Sequence, residues 1–368
     1  MSFHIKPLQN SQSLDGGDNL RRALIPHRPL SLEHHNHGIF WKYYWGIVPR
    51  RNHHVLRCVS RRWNAVLCSE EWISCRQKNN LEETWIYALC RDNATGRNCF
   101  YVLDPEPARR CWKLHRDIPT QCSKIEGMSL EALGKKLYFL GGRTFAEGTT
   151  DKVYSYDASA NKWEEGVPMS SARCYFLSAS LGKKLYVVGG KEESLADQDS
   201  WDIYDSHSNS WSSNKFSMPA DDIAEIIPLD DKIYTIHKVW NFPYAGIYDP
   251  LRSRWNKTNN DFASYCGPTI VIDDNLYMLD ESSGTRLMIW RKSCEEWVPL
   301  GRLSHQLTQP PCQLVAIGRK IFVVGQGLHT VVIDVDIAAK VEGMLVSSSF
   351  FSKSNSNLSL ISCKAISI

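Results

Sequence analysis

Histidines cluster at His34, His35 and His37 and again at His53 and His54, and twelve cysteines are scattered along the chain. Both residue types hold metals or do redox chemistry when partners arrive at fixed spacing on ordered elements. Here the spacing is wrong. His34, His35 and His37 lie in a polar run without well-spaced acidic or thiol partners, which reads as a solvated segment. No two cysteines form a CxxC. They fall singly, mostly in apolar helix-like or strand-like stretches (Cys58, Cys68, Cys90, Cys174, Cys312), as buried thiols of a reducing compartment do. The sequence has no GxxxxGK, GxGxxG or HExxH, and no serine sits in a GxSxG context. The expectation is a chain with no catalytic residue, no cofactor and no metal, and so not an enzyme.

If no side-chain constellation carries chemistry, the surface must carry the function, and the composition bounds what that surface meets. A net charge of +3 over 368 residues calls for neither nucleic acid nor membrane. No apolar run approaches the roughly 20 residues of a membrane span. The polar start, MSFHIKPLQNSQSLDGGDNL, has no signal-peptide core, so a cytoplasmic and/or nuclear chain is expected. Hydrophobic content of 43% can fill a sizeable core, and the 13 Trp and 15 Tyr within it need a packing reason.

A repeat supplies that reason. GKKLYFLGG at 134–142 returns as GKKLYVVGG at 182–190, and each copy is followed by a Tyr-Asp strand and a closing Trp, at Trp163 and Trp211. Weaker copies close at Trp255 and Trp297, and another runs through QLVAIGRKIFVVGQ. The aromatic before the loop falls at Tyr138, Tyr186, Tyr234, Tyr277 and Phe322, in steps of 48, 48, 43 and 45 residues. Short Val-, Ile- and Tyr-rich runs joined by Leu-Gly-Lys-Lys, Asp-Asp-Lys and Asp-Asp-Asn predict four antiparallel strands per unit. Units of that size and period predict blades of a propeller, each burying its faces against its neighbours. The unit at 85–119 lacks a first strand, while the apolar run LSLISCKAISI at 358–368 has no strand following it. A six-bladed ring is therefore expected, closed by a strand from about 358–367 that completes the first blade. VEGMLVSSSFFSKSNSN would hold the outer strand of the last blade and a loose connection.

Gly141-Gly142 and Gly189-Gly190, with Tyr156 and Tyr204 and then Trp163 and Trp211, resemble the kelch repeat. The later units depart from the pattern, with His237-Lys238, Asp280-Glu281 and Gly325-Gln326 in place of the double glycine. Some kelch propellers are copper oxidases with a cross-linked Tyr-Cys pair. Tyr265-Cys266 and Cys174-Tyr175 are adjacent in sequence only, and no histidine pair completes such a site.

Before the propeller, Val55, Leu56, Val59, Trp63, Val66 and Leu67 fall at helical spacing after Pro49, and Ser69-Glu70-Glu71 suits the start of another helix. This stretch resembles the second half of an F-box, and the run from 47 to 335 is similar to the plant F-box/kelch-repeat proteins. The domains expected are a disordered segment at 1–36, an F-box-like helical domain at 37–84 and a kelch β-propeller at 85–368, mainly β overall. The resemblance implies a substrate-recognition subunit of an SCF-type E3 ubiquitin ligase. Pro49, Val55, Leu56, Val59, Trp63 and Leu67 would bind the Skp-type adaptor and through it the cullin–RING ligase. The propeller would bind an unknown target protein. The box pattern would open near 36–39, where the sequence reads Asn-His-Gly-Ile, and this keeps an alternative open: a kelch interaction scaffold without ligase coupling. Loops after the Gly-Gly strand and between blades make Arg143, Arg173, Glu192, Glu193, Trp240 and Phe242 the candidates for target binding. The basic pairs Arg50-Arg51 and Arg61-Arg62 read as a solvated face.

Overall fold

The structure, a computed structural model, describes residues 48–115, 118–190, 200–215, 223–238, 243–258, 262, 267–280, 285–304, 308, 310–338, 343, 345, 348–350 and 357–368. The expected disordered segment at 1–36 lies outside them. The compact unit Ile47–Ile368 opens with three short helices, α1 (His53–Val59), α2 (Arg61–Leu67) and α3 (Glu70–Lys78).

Strands follow in chain order. β1 (Thr84–Asp92), β2 (Arg97–Leu103) and β3 (Trp112–His115) belong to the first sheet. The second holds β4 (Ser129–Leu133) and β5 (Lys136–Leu140), then a small hairpin of β6 (Arg143–Thr144) and β7 (Gly148–Thr149), then β8 (Val153–Asp157) and β9 (Lys162–Glu165). The third is β10 (Leu177–Leu181), β11 (Lys184–Val188), β12 (Ser200–Asp205) and β13 (Ser210–Lys215). The fourth is β14 (Ile223–Leu229), β15 (Lys232–His237), β16 (Tyr244–Asp249) and β17 (Arg254–Thr258). The fifth is β18 (Thr269–Ile272), β19 (Asn275–Asp280), β20 (Arg286–Arg291) and β21 (Glu296–Arg302), and the sixth is β22 (Gln313–Ile317), β23 (Lys320–Val324), β24 (Thr330–Asp334) and β25 (Ser348–Phe350). Finally β26 (Leu358–Ser367) returns to the first sheet and pairs antiparallel with β1, so that the order there is β26-β1-β2-β3. The result is a six-bladed β-propeller of four-stranded antiparallel blades.

The repeated residues explain the blades one by one. The inner hairpins close with two-residue turns, Leu133 pairing with Lys136, Leu229 with Lys232 and Ile272 with Asn275. Two of these turns hold Asp-Asp at positive φ (Asp230 at 51°, Asp231 at 56°, Asp273 at 48°, Asp274 at 58°), the geometry that suits the twist of a hairpin. In the outer hairpins the repeat aromatics face each other across the strands: Tyr156 with Trp163, Tyr204 with Trp211, Tyr248 with Trp255, Trp290 with Trp297. The Asp after each Tyr then caps the turn, as Asp157 Oδ1 does by accepting from the Ala160 N–H at 2.9 Å and Asp249 Oδ1 by accepting from Leu251 N–H at 3.0 Å.

Buried side chains gather into clusters that each span two neighbouring blades. Tyr138 packs between the second and third, Tyr186 between the third and fourth, Tyr277 between the fifth and sixth. Phe322 packs between the sixth and first, beside Leu358, Leu360 and Cys363 of β26. The periodic aromatic is thus the hydrophobic contact that one sheet cannot make alone. Where the fourth blade departs from Gly-Gly, His237 is buried, stacked on Tyr244 with ring centroids 4.4 Å apart, and its Nε2 lies 3.0 Å from Thr235 Oγ1.

The thiols are less uniform than expected. Cys90, Cys174 and Cys312 are buried, but Cys58 and Cys68 lie exposed on the short helices, where helical spacing did not reveal which side faces out. No disulfide joins any of the described cysteines.

Candidate interaction surfaces

The helices form where the sequence caps them. Ser60 adopts an extended backbone and its Oγ accepts from the Trp63 N–H at 3.2 Å, which ends α1 and starts α2. Ser69 does the same for α3 through Trp72 N–H, with Glu70 and Glu71 in the first turn. The stretch that helical spacing reads as one face is therefore split in two at Ser60, and the split sorts the residues expected to bind an adaptor. Pro49 is half-buried and precedes a 3-10 turn at Arg50–Asn52; Trp63 is half-buried. Leu56 and Leu67 are buried, so they are not presented for binding. Val55 and Val59 are exposed at 46% and 61%, and Val66, absent from the expected set, joins them at 40%.

Basic side chains clamp these helices to the propeller. Arg57 donates to the carbonyls of Ser159 and Ala160 at 2.7 and 2.6 Å, in the outer turn of the second blade. Arg51 bonds Glu106 at 2.6 Å, and the Arg50 N–H donates to Glu83 Oε1 at 2.8 Å. Lys135, in an inner turn, pairs with Glu82 at 2.7 Å. Arg76 is buried, donates to the Val48 carbonyl at 2.9 Å and pairs with Glu83 at 3.2 Å; burial pulls its pKa down against that carboxylate. Arg50 and Arg51 are thus half-buried struts, Arg50 also donating from its guanidinium to the Ser159 carbonyl at 3.4 Å, a correction to the solvated face expected of them, whereas Arg61 and Arg62 are exposed. His53 is also buried here, its Nε2 3.1 Å from the Val48 carbonyl, and desolvation lowers its pKa to about 4. The contacts of Arg57, Arg51 and Lys135 use the inner and outer hairpin turns of the blades, which lie on one face of the ring.

The loops that follow the second strand of each blade, and those that cross between blades, lie on the opposite face. Arg143 is exposed there, directly after Gly142, and exchanges two backbone hydrogen bonds of 2.8 Å with Glu126. Phe145 projects fully into solvent from the β6–β7 hairpin, and Tyr175 is 54% exposed at a left-handed φ of 55°. The Tyr175 hydroxyl lies 3.4 Å from Glu126 Oε2, and Arg91 pairs with the other oxygen of that carboxylate. Sequence reasoning missed both aromatics. Phe145 had a signal in its Gly-flanked turn, GGRTFAEG; Tyr175 had none, because its backbone strain comes from the loop crossing between blades.

Arg173 is not on this surface, contrary to expectation. It is fully buried, pairs with Asp202 at 3.3 Å, and donates to the Gly189 carbonyl at 3.1 Å and to Ser171 Oγ at 2.6 Å. The acidic strand residue Asp202 draws it inward. Glu192, Glu193, Trp240 and Phe242 lie outside the described residues.

The first strands of the six blades, β26 among them, wall a central channel of about 990 Å³ that opens beside Glu126 and Tyr175. Its wall carries the buried ion pair Glu131–Lys364, the linked hydroxyls of Ser129 and Ser178 at 2.6 Å, and Glu225. Among the described residues, no group of three or more His, Cys, Asp or Glu could hold a metal ion, and no helix is long and apolar enough to cross a membrane.

The Kelch motif matches residues 127–170, which span the second blade. The chain is 37% identical over 325 residues to the F-box/kelch-repeat protein SKIP4 of Arabidopsis thaliana, covering 87% of this chain and 90% of that one. It is 23% identical over 296 residues to the F-box protein AFR of the same plant, covering 77% and 78% of the two chains. To F-box/kelch-repeat protein SKIP11 it is 27% identical over 135 residues, 36% of this chain and 26% of that protein.

Proposed function

The chain belongs to the F-box/kelch-repeat family, and from that premise we propose that it is the substrate-recognition subunit of an SCF-type ubiquitin ligase. One observation carries this reading. The valines Val55, Val59 and Val66 stay exposed on helices that arginines fix to one face of the propeller, while the opposite face is left to its loops. Exposed apolar side chains on a rigidly seated helical element are what a partner helix covers. A Skp-type adaptor held there would place the cullin–RING assembly on one side of the ring and a protein target on the other. Proximity then raises the effective concentration of target beside the conjugating enzyme, and no side chain of this chain needs to make or break a bond.

The test is a pull-down of purified Skp-type adaptor by the full chain and by Val55→Asp/Val59→Asp. Both valines are exposed, so the substitutions leave the core alone. Retention by the unmodified chain that falls at least tenfold in the double variant supports the receptor reading. Failure of the unmodified chain to retain the adaptor overturns it in favour of a kelch scaffold without ligase coupling.

A further inference from the structure

Three carboxylates among the described residues line the central channel. Glu131 is buried and spent on Lys364, and Glu126, at the mouth, is spent on Arg91. Glu225, near the start of β14 and away from the helical face, is different. Its Oε1 accepts from both the N–H and the hydroxyl of Thr269 on the next blade, each at 2.8 Å, which fixes the carboxyl in place. Its second oxygen has no hydrogen bond among the described residues, and Lys238 acts on it only at a distance. The wall around it mixes hydroxyls (Ser129, Ser178) with apolar side chains, among them Ala224, Ile226, Pro268 and Ile270. Tyr175 stands at the same mouth with half its surface exposed.

We propose that this mouth receives a lysine or arginine side chain of the captured protein, with the ammonium or guanidinium on Glu225 and the alkyl stem along the channel wall. The proposal rests on the receptor reading and adds the chemistry of what is received. A fixed carboxylate in a partly desolvated channel costs free energy unless a cation answers it. Desolvation pushes the Glu225 carboxyl up to about 7 even though both Thr269 bonds and the more distant Lys238 act to lower it. The exposed ring of Tyr175 offers a second, cation-attracting surface at the entrance. The aliphatic side chains of the wall, Ile226 and Ile270 among them, offer an apolar surface to the alkyl stem.

The experiment is calorimetric titration of the full chain with Nα-acetyl-lysine N-methylamide and its arginine counterpart. The neutral isostere Nα-acetyl-norleucine N-methylamide and free n-butylamine are run beside them. Saturable binding of the two basic probes, at least tenfold tighter than norleucine and at least tenfold weakened by Glu225→Gln, supports the proposal. Ala224→Phe fills the channel without touching the Glu225–Thr269 bonds, and should abolish binding as well. It keeps the test decisive if the Gln variant does not fold. Equal binding of norleucine, unchanged binding in either folded variant, or no saturable binding overturns the proposal. Butylamine binding as tightly as the capped lysine would assign the site to free amines and overturn the protein side chain as occupant. An unmodified chain that retains the adaptor but binds neither basic probe would count against this inference alone and leave the receptor reading standing.

Discussion

The Gly142 N–H donates to the carbonyl of Arg173 at 2.9 Å, and that bond explains why the sequence repeats a double glycine. Two crossing loops press on the end of β5: residues 125–128 on one side and 173–176 on the other. A Cβ on Gly142 would lie 2.2 Å from Ile125 Cγ2 and 2.7 Å from the Glu126 carbonyl oxygen, at a φ of 100°. A Cβ on Gly141 would lie 2.5 Å from the Arg173 carbonyl oxygen. Gly142→Ala is therefore expected to cost about 3 kcal/mol or more, from backbone strain and overpacking together. Gly134→Ala is the control: φ is also positive there, at 61°, but nothing lies within 4 Å of the added carbon. Its expected cost is about 1–2 kcal/mol. Urea denaturation of the two variants checks the ranking, and equal costs would remove the packing explanation.

Arg173 and Asp202 form an ion pair in which both side chains are essentially without solvent, so breaking it strands a charge. Arg173→Met alone should destabilise by about 3–5 kcal/mol, and Arg173→Met/Asp202→Leu by clearly less than the sum of the single changes. A thermal-unfolding double-mutant cycle measures this. Additive losses would show that the two residues act separately. Because Arg173 never reaches the surface, a defect in target binding should follow only from lost folding.

Much of the fold was legible because packing between blades is periodic: Tyr138, Tyr186, Tyr277 and Phe322 recur at four of the six interfaces, and a repeat in space has to be a repeat in sequence. The strand that closes the ring was legible by arithmetic, one unit lacking a strand and one apolar run left over. Single-residue orientation was not. Arg173 is inside because Asp202 lies 29 positions further on in a neighbouring strand, and no local pattern records that pairing. Helical spacing grouped Leu56 with Val55 and Val59, but the Ser60 cap breaks the helix and turns Leu56 inward while its neighbours stay exposed. A serine ahead of two arginines was the available signal.

His53 ties the helical segment to pH. Burial is the main cause of its lowered pKa, the cations Arg50, Arg76 and Arg57 add to it, and the Val48 carbonyl opposes it without prevailing. The folded value of about 4 lies below the ordinary 6.5, so as pH falls the unfolded chain takes up the proton first. Stability is complete above about 6.5 and drains away towards 4, by on the order of 3 kcal/mol in total. His53→Gln, which can still donate to the Val48 carbonyl, should flatten that part of the stability-versus-pH curve. Unfolding followed by tryptophan fluorescence between those two values checks it, since Trp72 sits against His53 with ring centroids 6.0 Å apart. An unchanged slope in the variant would mean another group carries the titration.

β26 places Leu358, Leu360, Cys363 and Ile366 in the cores between the first blade and its two neighbours, and Glu83 exchanges two backbone hydrogen bonds of 2.9 and 3.0 Å with Ile368. Removing 357–368 would strip those contacts and expose β1 as an unpaired edge along its whole length. The truncated chain should lose its cooperative thermal transition and associate, as seen by circular dichroism and sedimentation velocity. A synthetic peptide of 357–368 added in trans should restore the transition, because the register of β26 on β1 is set by its buried side chains, Leu358, Leu360, Cys363 and Ile366, and not by the loop leading to it. A truncated chain that unfolds as cooperatively as the full one would show that the other five blades hold the ring without its closing strand.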